Sequence, residues 1–175
     1  MDELNYIDIQ FPIESLTMDQ NELERISEAF TFAIAAHEGQ MRESGVPYIS
    51  HPIRVALHAL SNELSTETIM AAVLHDVVED TDTPIEKIVE LFGDEIAEIV
   101  AALSKPEKGT PNRNQIYQEQ LLQGPIIACR IKLFDIRDNL ASIDRFFSHE
   151  KAISYRESRT RLAGILQKRL DSHFY

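Results

Sequence analysis

The chain contains a single cysteine, Cys129, in 175 residues. Alone it cannot close an intrachain disulfide, and its apolar, helix-like surroundings point to a reducing compartment. Basic residues are also scarce: 17 Lys and Arg stand against 29 Asp and Glu, for a formal net charge of −12. Nonspecific DNA binding needs a basic surface to displace counterions, so that class of activity is excluded. Any anionic ligand must instead meet a local positive centre. No apolar run approaches the ~20 residues that span a bilayer. The opening MDELNYIDIQ lacks the basic-then-apolar character of a secretion signal. A cytoplasmic protein with no membrane partner is expected. Internal repeats, low-complexity tracts and period-two alternation bounded by hairpin turns are missing too, which leaves an all-α domain.

What is present suits one ordinary globular domain, with 43 % apolar and 26 % charged residues. Residues 1–18 read as a loose arm and 19–175 as the domain. Asp19 and Glu22 form a capping box ahead of Leu23, Ile26, Phe30, Ala33 and Ile34, with Gly39 as the stop. A Gly/Pro loop over 40–50 leads to His51-Pro52 and a second helix. A third helix is expected over 67–80, capped by Ser65 or Thr66. A short one is expected to start with Thr83 as its cap, Pro84 in its first turn and Glu86 completing a capping box, and to end at Gly93. Further helices are expected over 94–103, 114–123, 125–146 and 150–170, with a polar loop over 104–114 as the longest connection.

The chemistry concentrates at the end of the third helix, where His75, Asp76, Glu79 and Asp80 stand in AVLHDVVEDT. At about 100° per residue these four polar groups cover an arc of about 140° on an otherwise apolar helix. That pattern fits either a solvated acidic face or a set of ligands. His51 and Asp135 favour the second. Asp135 stands among Ile131, Leu133, Phe134 and Leu140, where an unpaired carboxylate would be costly. A divalent metal shared by His51, His75, Asp76 and Asp135 removes that cost, and its charge supplies the positive centre and acidifies bound water.

Three segments, HEGQMRESGVPYISHP (37–52), AVLHDVVEDT (72–81) and IKLFDIRDN (131–139), resemble the HD-domain metal-dependent phosphohydrolases. Within these, they are most similar to the hydrolase domain of the RelA/SpoT homologues and their small single-domain relatives. The resemblance spans roughly residues 25 to 145 and implies an HD-domain helical bundle of about seven to nine helices around one metal site. It also implies removal of the 3′-pyrophosphate from ppGpp and pppGpp. By the same resemblance His51, His75, Asp76 and Asp135 are metal ligands, for Mn²⁺ foremost, with Fe²⁺, Zn²⁺, Co²⁺ or Mg²⁺ admitted. Glu79 and Asp80 match the catalytic pair that activates water and handles the leaving-group proton. Arg42, Ser44, Asn139 and Ser142 match substrate-contacting positions. The chain departs from the family at Glu43, where Lys is common, at Ile136 (Arg) and at Asp138 (His).

Outside these motifs, Lys105, Lys108 and Arg113 on the long loop either clamp phosphates or are solvated. Lys132 either reaches a phosphate or balances the acidic cluster. Tyr117 either stacks on a base or packs in the core, and His37 either lines the site or closes the first helix. The last helix, with Ile153, Leu162, Leu166 and Leu170, reads as a lid on the core or as the face of a homodimer. The expected activity is a phosphohydrolase for a phosphorylated nucleotide, (p)ppGpp foremost. The alternatives are a phosphatase or pyrophosphohydrolase for another nucleotide, such as an NADPH-type 2′- or 3′-phosphate, and a non-catalytic nucleotide sensor.

Overall fold

The computed structural model of the chain describes residues 18–43, 45–143 and 149–173. Most of the expected arm, together with Ser44, lies outside them. Among the described residues nine helical segments follow in order: α1 (Gln20–Ala36), α2 (Ser50–Ser61), α3 (Thr66–Leu74), α4 (Val77–Asp80), α5 (Ile85–Phe92), α6 (Asp94–Leu103), α7 (Arg113–Gln123), α8 (Ile126–Ser142) and α9 (His149–His173). Among the described residues the only β pairing is an isolated bridge between Met41 and Pro47, which closes the loop between α1 and α2. The all-α expectation holds. None of these helices is long and apolar enough to cross a membrane.

The centre of the bundle is α3. Its sequence, TETIMAAVL, is apolar on every side, as a helix surrounded by others must be. All its residues except Glu67 are buried, and it packs against α1, α2, α6 and α8. Ser65 caps it by accepting from Thr68 N–H, and Asp19 and Glu22 form the capping box of α1. α8 differs from an ordinary core helix. Its inward side carries Lys132, Asp135 and Asp138 beside Ala128, Cys129, Ile131 and Ile136. α9 lies along α8, and Arg169 on it donates to the carbonyls of Leu121 and Gly124, satisfying the C-terminal end of α7.

Two expectations about the elements change. The helix expected over 67–80 is interrupted: α3 ends at Leu74, and His75 and Asp76 form a turn before the single-turn α4. The paired donors therefore sit at a break in the helix, where Asp80 N–H returns to Asp76 O. Thr83 does not cap α5 with its side chain. Its hydroxyl instead accepts from Thr81 Oγ1.

Gly93 joins α5 to α6 with no intervening loop, at φ 86° and ψ 169°, a region open in practice only to glycine. Gly164, in the middle of α9, has nothing within 4 Å of where a Cβ would stand. Gly93→Ala should cost about 1–3 kcal/mol, whereas Gly164→Ala should gain up to about 1 kcal/mol. Urea denaturation of the two variants measures both signs.

Candidate metal centre

Four side chains from three regions of the sequence meet where α2, the α3–α4 turn and α8 converge. His51 Nε2 lies 2.9 Å from Asp135 Oδ1 and 3.8 Å from Asp76 Oδ2. His75 Nε2 is 3.2 Å from Asp76 Oδ1 and 3.9 Å from Asp135 Oδ1. Donor atoms of His51, His75 and Asp76 all lie within 4.8 Å of one another, a separation that one cation can bridge. The two imidazoles are 1 % exposed and Asp135 is 5 % exposed, so little water solvates these charges.

The His75 ring is already oriented for coordination. Its Nδ1 donates to the Ala72 carbonyl at 2.8 Å, and a carbonyl can only accept, so Nε2 carries the lone pair. Burial favours the neutral ring and lowers its pKa. That Nε2 is buried, faces the other donors and has no hydrogen-bond partner. An orphaned imidazole nitrogen facing two carboxylates is what a divalent cation satisfies, and a set of two imidazoles and two carboxylates suits Mn²⁺, Fe²⁺ or Zn²⁺.

The carboxylates are compensated from outside. Burial pushes the Asp135 carboxyl up, but Lys132 Nζ at 2.6 Å and the His51 bond outweigh it and hold it well below the usual range. Asn139 Nδ2 adds a short bond to Asp135 Oδ1 at 2.5 Å. For His51, burial lowers the pKa, yet Asp135 and Asp138 on its two nitrogens raise it to about 9 in the metal-free protein. Tyr48 OH sits 2.8 Å from Asp76 Oδ2 and 2.7 Å from Asp80 Oδ2. A phenol has a single proton, so the Tyr48 hydroxyl donates to one of these two carboxylates at a time. Burial raises the Asp80 pKa, with the Asp76 and Glu79 charges acting in the same direction against the Tyr48 hydrogen bond, which lowers it.

Glu79 lies one turn beyond the donors and is held by the long loop. Lys105 Nζ is 3.2 Å and Arg113 Nη2 3.3 Å from its Oε1, and the Lys105 backbone N–H donates to Oε2 at 3.1 Å. Lys105 and Arg113, read from the sequence as phosphate clamps or solvated residues, thus do a third thing. Lys132 balances Asp135. Tyr117 takes the core alternative: it is 2 % exposed, its hydroxyl donates to the Leu103 carbonyl, and Lys105 and Lys132 lie against its ring. His37 caps α1 and stacks on Tyr48 with ring centroids 5.0 Å apart.

Arg42 Nη2 donates to Asn139 Oδ1 at 2.9 Å, and together with Ser142 these residues line a cavity of about 280 Å³ beside the cluster. Glu43, Tyr48, Met41, Ile143 and Tyr155 complete its walls. Of the three family departures only Glu43 faces this cavity. Ile136 is buried in the core, and Asp138 bonds to His51. Asp138, Arg54 and Tyr48 are the site residues that sequence reasoning passed over. The available signal was a matched spacing: His51 and Arg54 on α2, and Asp135 and Asp138 on α8, are each three apart and share a helix face.

A family model described as HD domain matches residues 29–122. The chain belongs to the HD-domain family. Relatives of this HD-domain protein include the bifunctional (p)ppGpp synthase/hydrolase SpoT of Escherichia coli (strain K12), 44 % identical over 91 residues, or 52 % of this chain and 13 % of that one. The guanosine-3′,5′-bis(diphosphate) 3′-pyrophosphohydrolase of Spiroplasma citri is 32 % identical over 163 residues, covering 89 % of this chain and 22 % of the relative. The chain thus spans less than a quarter of the length of these curated relatives. Among solved structures, a metazoan ortholog of SpoT described as hydrolysing ppGpp matches with a TM-score of 0.68 at 26 % identity, covering 90 % of this chain and 98 % of the other.

Wild-type HD-domain protein should take up one divalent cation per chain, and saturation to about 100 times Kd should stabilise it by ~2.7 kcal/mol. Asp76→Ala or His75→Ala should abolish stoichiometric uptake, as read by elemental analysis and by the loss of the cation-dependent rise in Tm.

Proposed function

We propose that this HD-domain protein is a metal-dependent phosphohydrolase that cleaves the 3′-pyrophosphate from (p)ppGpp. The observation that carries this reading is the convergence of His51, His75, Asp76 and Asp135, with the His75 Nε2 lone pair unpartnered, beside the Glu79–Asp80 pair. The relatives named above support the substrate class. So does a solved ppGpp-hydrolysing protein that aligns over nearly its whole length.

His51, His75, Asp76 and Asp135 would hold the cation, Mn²⁺ foremost. When bound, it supplies positive charge for the phosphate oxygens and acidifies water. The remaining work falls to the protein's own groups. Glu79 accepts the proton of the attacking water, and Lys105 and Arg113 fix its carboxylate so that no reorganisation is needed. Asp80, whose carboxyl pKa burial raises, would donate to the leaving group. Arg42 and Asn139 orient the nucleotide in the neighbouring cavity, whose apolar walls at Met41, Ile143 and Tyr155 suit a base. Ser44 joins them as a substrate contact on the strength of the motif alone, and Ser142 lines the same cavity.

Mn²⁺-loaded protein should convert ppGpp to GDP and pyrophosphate, resolved by anion-exchange chromatography. NADPH and simple nucleotides should remain intact in parallel reactions. Orthophosphate release from one of those instead would transfer the assignment to another nucleotide phosphatase, and binding without turnover would make the protein a sensor. Glu79→Gln should retain the metal and lose about 10²–10⁴ in rate. Unchanged turnover in that variant would remove Glu79 from proton handling.

A further inference from the structure

The two imidazoles of the cluster are oriented by different means. His75 stands at the C-terminal end of α3, where the Ala72 carbonyl three residues back is free to accept its Nδ1 proton. His51 is the second residue of α2 and has no helical turn behind it. The carbonyls upstream of it, at Pro47 and Tyr48, already accept the backbone N–H groups of Ser50 and His51. An acceptor for the Nδ1 of His51 must therefore come from another element.

Asp138 on α8 supplies it. Its Oδ2 lies 2.6 Å from His51 Nδ1. Arg54, one turn along α2 from His51, grips the same carboxylate from the far side, with Nε 2.6 Å from Oδ1 and Nη2 3.0 Å from Oδ2. Asp138 is 6 % exposed, so its charge is met by these two partners and not by bulk water. Bidentate contact with a planar guanidinium leaves the carboxylate little freedom to turn.

We propose that Asp138, anchored by Arg54, is a positioning residue for the metal centre. It accepts the Nδ1–H of His51 and so presents Nε2 to the position shared with Asp76 and Asp135, where a bound cation would replace the Nε2 proton, as the Ala72 carbonyl orients the ring of His75. A charged acceptor also makes the ring a stronger donor than a carbonyl would. Asp138 touches neither substrate nor cation and acts only through His51. The inference rests on the reading of His51 as a ligand.

The test is calorimetric titration of the metal-free protein with Mn²⁺, and with Co²⁺ for its visible spectrum. Asp138→Ala should lose about 10–100-fold in affinity and alter the Co²⁺ spectrum while circular dichroism stays unchanged. Asp138→Asn, which keeps an acceptor oxygen without the charge, should lie between it and wild type. Wild-type affinity and spectrum in Asp138→Ala would overturn the proposal. Should that variant not fold, ¹⁵N NMR of Zn²⁺-loaded wild-type protein decides: His51 Nδ1 is expected to bear a hydrogen-bonded proton, and a bare Nδ1 would overturn the assignment. A wild-type protein that binds neither Mn²⁺ nor Co²⁺ would instead remove the underlying reading of His51, before any variant is made.

Discussion

Three carboxylates and two imidazoles share the interior of a small helical bundle, and the need to compensate them shapes what surrounds them. Even after relaxation, an uncompensated buried ion costs several kcal/mol. A domain of this size has a net stability of only about 5–15 kcal/mol. Asp135 is the clearest case, since it lies in mid-helix on α8 with apolar neighbours. It is met by Lys132 on its own helix, Asn139 one turn on, and His51 across the interface with α2. Asp138 is met in the same way by His51 and Arg54, and Asp76 by Tyr48 and the histidines. These contacts tie α2, α8 and the α3–α4 turn together more specifically than apolar packing could.

The compensation is arranged in two shells of different character. Inside, every charged donor has a partner that fixes its direction, and one nitrogen, His75 Nε2, is left without one. Outside, the polar loop after α6 folds back so that Lys105 and Arg113 close on Glu79, with Lys105 also against the ring of Tyr117. The long loop is therefore part of the site's framework. It holds Glu79, one turn beyond the donors, against two cations of its own.

The departures from the resembled family fall into separate physical classes once placed. Ile136 belongs to the core and has no view of the cavity. Asp138 works on the far side of His51 from the other donors. Only Glu43 lines the cavity, to which it brings a negative charge. The inner cluster and the cavity are joined through Tyr48 and Asn139, each of which lines the cavity and bonds to a carboxylate of the cluster.

Much of this was legible in the residues themselves. Apolar periodicity, the Asp19–Glu22 box and the glycine stops are local signals, and they placed the helices because helix boundaries depend on neighbours along the chain. His51, His75, Asp76 and Asp135 stood out because polar groups amid apolar runs must be compensated somewhere. The break at His75-Asp76 was invisible, since a continuous helix satisfied the same pattern; packing of α3 among four other helices decided it. Tertiary structure alone also chose between the open roles of Lys132, Tyr117, Lys105 and Arg113, and brought Asp138 and Arg54 to His51. Partners more than eighty residues apart on facing helices meet only when the bundle closes, and a long charged side chain takes whichever opposite charge that closure brings within reach.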